Sequence, residues 1–185
     1  MAHIDMQILL AKAARIRLFI SDVDGVLTDG SIVYNAKGEQ IHAFNVQDGF
    51  GLKLLKRAGI EVALISSRTS MAVEKRAMEL SIERVFQGRT EKMTVYKTIL
   101  AELGIKDEDA AYIGDDWADL PLLKRVGLSV AVSDAAYPLH DHVDYVTQRG
   151  GGKGAVREVC DLILKAQNKW GVFLNEDLNL GSDLG

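Results

Sequence analysis

Two aspartates separated by one residue, Asp22 and Asp24, stand where the apolar run Leu18-Phe19-Ile20 gives way to a glycine turn at Gly25. An acid at the carboxyl end of a strand faces the ligand crevice of a doubly wound sheet, and the one-residue spacing lets a side chain and a backbone carbonyl share one small space. Such a set of oxygens invites a hard cation. An ordinary turn is the alternative, since Asp and Gly are common turn residues. What weighs against it is the company further along: Ser66 ends the run Val62-Ala63-Leu64-Ile65, Lys92 opens a helical stretch, and Asp115-Asp116 directly follow Tyr112-Ile113-Gly114. Two adjacent acids at a strand end repel each other unless a cation compensates them.

This set of groups matches the needs of phosphate-monoester hydrolysis: a positioned nucleophile, neutralisation of phosphoryl charge and a proton for the leaving oxygen. Asp22 is the candidate nucleophile, and Asp24 the candidate proton carrier. Asp22, the backbone carbonyl of Asp24 and Asp115 form the candidate Mg²⁺ set. The Ser66 hydroxyl and the Lys92 ammonium could grip phosphoryl oxygens, the alternatives being an ordinary helix N-cap region for Ser66 and a solvated helix start at Glu91-Lys92. Asp119, one helical turn beyond the acid pair, is better placed to orient Lys92 or a metal-bound water than to ligate a metal directly.

Positioning these groups requires strands that end together. Apolar runs at 16–21, 60–66, 110–114, 128–132 and 143–146 predict strands, and helical periodicity predicts helices near 48–58, 70–80, 91–103, 117–125 and 154–168. The alternation implies an α/β fold, a single doubly wound, Rossmann-like parallel sheet with right-handed crossovers. One stretch breaks the rhythm: residues 30–45 look like two short strands joined by the polar turn Asn35-Ala36-Lys37-Gly38, a β-hairpin insert too short to be a cap domain. The crevice is therefore either open or covered from outside the protomer.

At 185 residues and 48% hydrophobic, the chain is long enough for one domain with a sizeable core. A formal charge of -4 without a basic stripe argues against nucleic acid. Cys160, the single cysteine, falls on the apolar face of the last helix and reads as a core residue. The amino-terminal run has the wrong order and length for a signal peptide, and no stretch approaches membrane-spanning length, so a cytoplasmic location and no membrane partner are expected. The glycine loop Arg149-Gly150-Gly151-Gly152-Lys153-Gly154 lacks the pattern of a nucleotide P-loop. Its amides suit either an anion or a flexible connection, and both readings stay open.

The motifs Asp22-Val23-Asp24-Gly25-Val26, Ser66, Lys92 and Gly114-Asp115-Asp116-Trp117-Ala118-Asp119 resemble, in order and rough spacing, the four motifs of the haloacid dehalogenase (HAD) superfamily. Within it, Phe44-Asn45-Val46-Gln47-Asp48-Gly49 and Gly151-Gly152-Lys153-Gly154-Ala155-Val156-Arg157-Glu158 resemble segments of the capless 3-deoxy-D-manno-octulosonate 8-phosphate phosphatases. The resemblance implies a small phosphorylated sugar acid as substrate, Mg²⁺ as cofactor and a role in lipopolysaccharide assembly. It extends the substrate-binding set to Gly25, Ser67, Arg68 and Asp48, with Asp116 and Asp119 in support. It further implies a homotetramer in which the hairpin and the chain end, residues 170–185, help close a neighbour's site; a frayed terminus is the other reading of that tail. The chain departs from the family pattern at Ser66-Ser67-Arg68, where Thr-Gly-Arg is usual, at Gln47, where Arg is usual, and at Lys153, often Arg. A related nonulosonate 9-phosphate is the alternative substrate. A phospho-receiver domain uses similar groups, but its acid pair follows the first strand and its phosphoacceptor the third, the reverse of the order here.

Overall fold

The computed structural model describes residues 5–175. Eight strands alternate with helices along them: β1 (Leu18–Ser21), β2 (Val33–Tyr34), β3 (Gln40–Ile41), β4 (Glu61–Ile65), β5 (Arg84–Phe86), β6 (Ala110–Gly114), β7 (Leu128–Ala131) and β8 (Tyr145–Val146). Six of them make one sheet in the order β5-β4-β1-β6-β7-β8, and every pairing in it is parallel. Numbered without the hairpin, that order is 3-2-1-4-5-6, the doubly wound arrangement whose winding reverses beside the first strand. The reversal lies between β1 and β6. Ser21 is in register with Leu64 on one side and Ile113 on the other, so the residues that follow these strands emerge side by side at the crevice.

Side-chain alternation along the strands splits the core in two. Phe19, Val62, Leu64, Ala111 and Ile113 face helices α1 (Met6–Ala14), α2 (Val46–Arg57), α3 (Met71–Glu79) and α6 (Ala155–Ala166). Leu18, Ile20, Ala63, Ile65 and Tyr112 face α4 (Lys92–Leu103) and the short α5 (Leu120–Leu123). Helix α6 places Val156, Val159, Cys160, Ile163 and Leu164 on one fully buried face, and each large aliphatic side chain so covered stabilises the fold by about 1.5–3 kcal/mol. Cys160 is therefore a core residue, with its thiol pushed up by burial. Among the described residues, the antiparallel pair β2–β3 is all the regular structure inserted between β1 and α2, and no second domain lies over the crevice. No helix among them is long and apolar enough to cross a membrane.

Two elements escape the sequence reading. Strand β5 has only three residues, begins with Arg84 directly after Glu83, and exists by pairing Arg84, Val85 and Phe86 along β4. Helix α1 starts where the Asp5 carboxylate accepts from the Gln7 amide and docks through Leu9 and Ala13. The expected helix at 117–125 is instead a 3₁₀ turn (Trp117–Asp119) followed by α5, because the carboxylates of Asp116 and Asp119 bond to backbone amides of that turn. In the stretch 170–175 Trp170 and Phe173 pack against the protomer's own core, with Arg57 over the Phe173 ring; residues 176–185 of the expected tail lie outside the described residues.

Candidate active site

Asp22 follows the last residue of β1, and its amide still donates to the Ile113 carbonyl of β6, which seats it at the winding reversal. Oδ1 of its carboxylate accepts from the Val23 amide at 2.7 Å; Oδ2 lies 2.8 Å from Lys92 Nζ. Lys92 is the first residue of α4, 5% exposed, and no other Lys or Arg is buried among the described residues. Its ammonium also meets Asp119 Oδ1 at 2.7 Å and donates to the Tyr112 hydroxyl at 3.2 Å. Tyr112 in turn donates to the same Asp119 oxygen at 2.6 Å, while Asp119 Oδ2 accepts from the amides of Asp115 and Asp116. Both oxygens of Asp119 are thus occupied in holding Lys92 and the turn after β6.

Asp115 completes an acidic set: one carboxylate oxygen from each of Asp22, Asp115 and Asp119 lies within 4.8 Å of the others. Burial, followed by the neighbouring Asp119 charge, pushes the Asp22 carboxyl up to about 6 against the pull of Lys92. Burial and the charges of Asp22, Asp119 and Asp116 push Asp115 up to about 7. Burial also opposes the charge on Lys92, but Asp22 and Asp119 outweigh it and raise its pKa. Three carboxylates around one buried ammonium leave an uncompensated negative site made of hard oxygen donors, which fits a divalent cation such as Mg²⁺.

Asp24, with its side chain 31% exposed, stands at the mouth of the crevice. Ser66, just past β4, donates from Oγ toward Asp24 Oδ2 at 3.4 Å and accepts from the Arg68 amide at 3.1 Å. The sheet therefore brings Asp22, Asp24, Ser66, Lys92, Asp115 and Asp119 together. Gly25 belongs with them by necessity: its φ is +79°, and a Cβ there would fall 2.0 Å from Asp115 Oδ2.

Other expected site residues are placed differently. Ser67 is exposed, and the exposed Arg68 turns its guanidinium to Gln40 Oε1 of the hairpin at 2.9 Å. Asp116 is exposed and caps the 3₁₀ turn through the Trp117 amide. Asp48, expected to bind substrate, is 1% exposed and gives its two oxygens to the amides of Gly154 and Arg157. It is the N-terminal cap of α6, supplied by another helix because Gly154 has no side chain to offer. The anion-binding reading of the glycine loop falls for the same reason, since the amides of Gly151, Gly152, Lys153 and Gly154 already donate to Asp134, Val26, Gly150 and Asp48. The loop instead packs on the turn that follows β1: a Cβ on Gly151 would lie 1.8 Å from the Gly25 carbonyl oxygen. At Gln47 the Oε1 atom accepts from Arg149 at 2.9 Å, which brings a guanidinium beside a position lacking one.

Tyr112 and His42 were missed in the sequence. A lone Tyr within an apolar strand, two residues before Gly114, was the available signal for the first. The second had no local signal, because His42 reaches Asp24 only through the fold of the hairpin.

Comparison with known proteins agrees with this arrangement. A family model of haloacid dehalogenase-like hydrolases matches residues 82–159. The 3-deoxy-D-manno-octulosonate 8-phosphate phosphatase KdsC of Escherichia coli K12 is 49% identical over 160 residues, 86% of this chain and 85% of that protein. The crystal structure of the phosphatase of that name from Yersinia pestis superposes with a TM-score of 0.87 at 48% identity, covering 89% of each chain. The one from Moraxella catarrhalis, in complex with a magnesium ion, a phosphate ion and KDO, gives a TM-score of 0.91 at 44% identity over 93% of this chain and 99% of its own.

Proposed function

The chain belongs to the 3-deoxy-D-manno-octulosonate 8-phosphate phosphatase family of haloacid dehalogenase-like hydrolases, and on that premise we propose how its residues divide the reaction. It is a Mg²⁺-dependent phosphomonoesterase that releases 3-deoxy-D-manno-octulosonate and inorganic phosphate for lipopolysaccharide assembly. An Asp22 carboxylate oxygen attacks phosphorus, and the bond from phosphorus to the sugar oxygen breaks as Asp24 gives that oxygen a proton. Asp24 then takes a proton from water attacking the aspartyl phosphate; the bond from phosphorus to Asp22 breaks and the carboxylate returns. Lys92 and Ser66 hold phosphoryl oxygens, and Asp119 with Tyr112 holds Lys92. Asp22, the Asp24 carbonyl and Asp115 hold Mg²⁺, which when bound supplies the positive charge that brings two anions together.

The observation that carries this reading is the fixed carboxylate of Asp22: one oxygen on the Val23 amide, the other on Lys92, at the winding reversal and beside Asp115. Asp22→Asn should reduce turnover to background with an unchanged circular dichroism spectrum, and chelation of Mg²⁺ should silence the wild type; measurable turnover by the folded variant would refute the nucleophile.

The reading extends to a single catalytic domain along the whole chain, acting in the cytoplasm as a homotetramer whose neighbouring subunit covers the crevice. Supporting this are Ile32, Val33, Tyr34 and Ile41, each at least half exposed on the hairpin beside the site.

A further inference from the structure

We propose that His42 is a positioning residue for the proton carrier Asp24, a role that rests on the mechanism above. The imidazole comes from the hairpin, one residue past β3, yet its side chain is only 4% exposed, because it turns inward to place Nε2 3.7 Å from Asp24 Oδ1. It is held on both ring nitrogens. The side-chain amide of Gln40 donates to Nε2 at 3.3 Å, so in the neutral ring the proton sits on Nδ1, 3.2 Å from Oγ of Ser70, the residue that caps α3; Nε2 faces Asp24 as a fixed neighbour in contact and not as a hydrogen-bond donor. Gln40 is itself fixed, since its Oε1 accepts from Arg68. Ser66 approaches the other Asp24 oxygen, so the carboxyl is bracketed, with Ser66 at Oδ2 and His42 at Oδ1.

The hairpin does not need this histidine. Its ladder pairs Val33 with Ile41 and Tyr34 with Gln40, and its turn is organised by Asn35, whose Oδ1 accepts from the amides of Lys37 and Glu39. Asp24 has the opposite situation. It must face one reacting oxygen while protonated and a water while ionised, on a partly exposed side chain whose last torsion has a broad preference of its own. Two fixed neighbours confine that rotation, and misplacement of a catalytic group by about 1 Å can cost about 10²-fold.

The test exploits the leaving group. An alkoxide leaving from a sugar phosphate needs the Asp24 proton, whereas nitrophenolate leaves without one. The readout is kcat/KM, which ends at leaving-group departure, for 3-deoxy-D-manno-octulosonate 8-phosphate and for p-nitrophenyl phosphate. His42→Ala should lower the sugar-phosphate value by about 10- to 10²-fold and the aryl value by no more than about twofold, which also shows that the site remains folded. His42→Gln, which keeps a polar side chain of similar reach, should recover part of the loss. Inhibition by the product sugar acid should be unchanged. Equal losses on the two phosphates, a sugar-phosphate value within about twofold of wild type, or product binding that weakens in parallel would each overturn the proposal. Asp24→Asn is the control. If it fails to discriminate the two phosphates, the role of Asp24 itself is wrong; if it discriminates and His42→Ala does not, only the present inference falls.

Discussion

Asp22 and Asp115 hold on to protons that ordinary carboxyls have shed by pH 5, and metal binding must therefore compete with protonation. With the two groups pushed up to about 6 and about 7, Mg²⁺ should displace protons when it binds below neutrality. Affinity should rise with pH and level off above about 7. Calorimetric titration at pH 6 in two buffers of different ionisation enthalpy reads the proton release directly; identical heats would contradict it. Stability follows the same linkage with a definite sign. Both folded-state values lie above the unfolded value of 3.8, so the stabilisation from these carboxyls is complete below 3.8 and is lost as pH rises through about 6 and about 7. The rise in Tm on adding Mg²⁺ should accordingly be larger at pH 8 than at pH 5.5. In the sequence these acids stand out only together with Ser66 and Lys92, since an ordinary turn explains Asp-x-Asp alone and Asp116 does cap a turn. Asp48 was not legible: its value lies in which amides it meets 106 and 109 residues away.

At the level of elements, the glycine loop and α6 form the buttress of the turn that carries the proposed nucleophile. Gly151→Ala would drive a methyl into the Gly25 carbonyl, a backbone atom with nowhere to retreat, and Gly25 is in turn what Asp115 packs against. We expect loss of activity and weakened Mg²⁺ binding from this change, measured by kinetics and calorimetry, although no reacting group is touched. Asp48→Ala removes the acceptor for two amides at the start of α6 and should destabilise the protein by about 1–2 kcal/mol in denaturant unfolding, with Asp48→Asn recovering part. The periodic elements were readable because burial dictates their pattern. Those that escaped depend on partners: β5 needs the edge of β4, and the 117–119 turn needs the side chains of Asp116 and Asp119. Family resemblance supplied the substrate; apolar periodicity alone reaches only the sheet.

For the molecule as a whole, the crevice is built by three adjacent strand ends and left without a lid by its own chain among the described residues. The exposed apolar residues of the hairpin, with Val46 and Phe50 of the neighbouring helix, give a second copy something to cover. Sedimentation equilibrium should return four times the 20.3 kDa chain mass, and Ile32→Lys with Ile41→Lys should lower the assembly state along with sugar-phosphate turnover. A fully active monomer would remove the shared-site reading.

The winding reversal that seats Asp22 against β6 also fixes when the enzyme can begin to work. Asp22, Ser66, Lys92 and Asp115 come from four separated stretches of chain, and they converge only after β1 has acquired a parallel partner on each side. Such pairings span most of the sequence between those stretches and are slow to close. Turnover of an aryl phosphate regained after dilution from denaturant should therefore lag behind helical circular dichroism, and a nascent chain emerging only as far as β5 carries the proposed nucleophile Asp22 without Lys92 or Asp115 beside it.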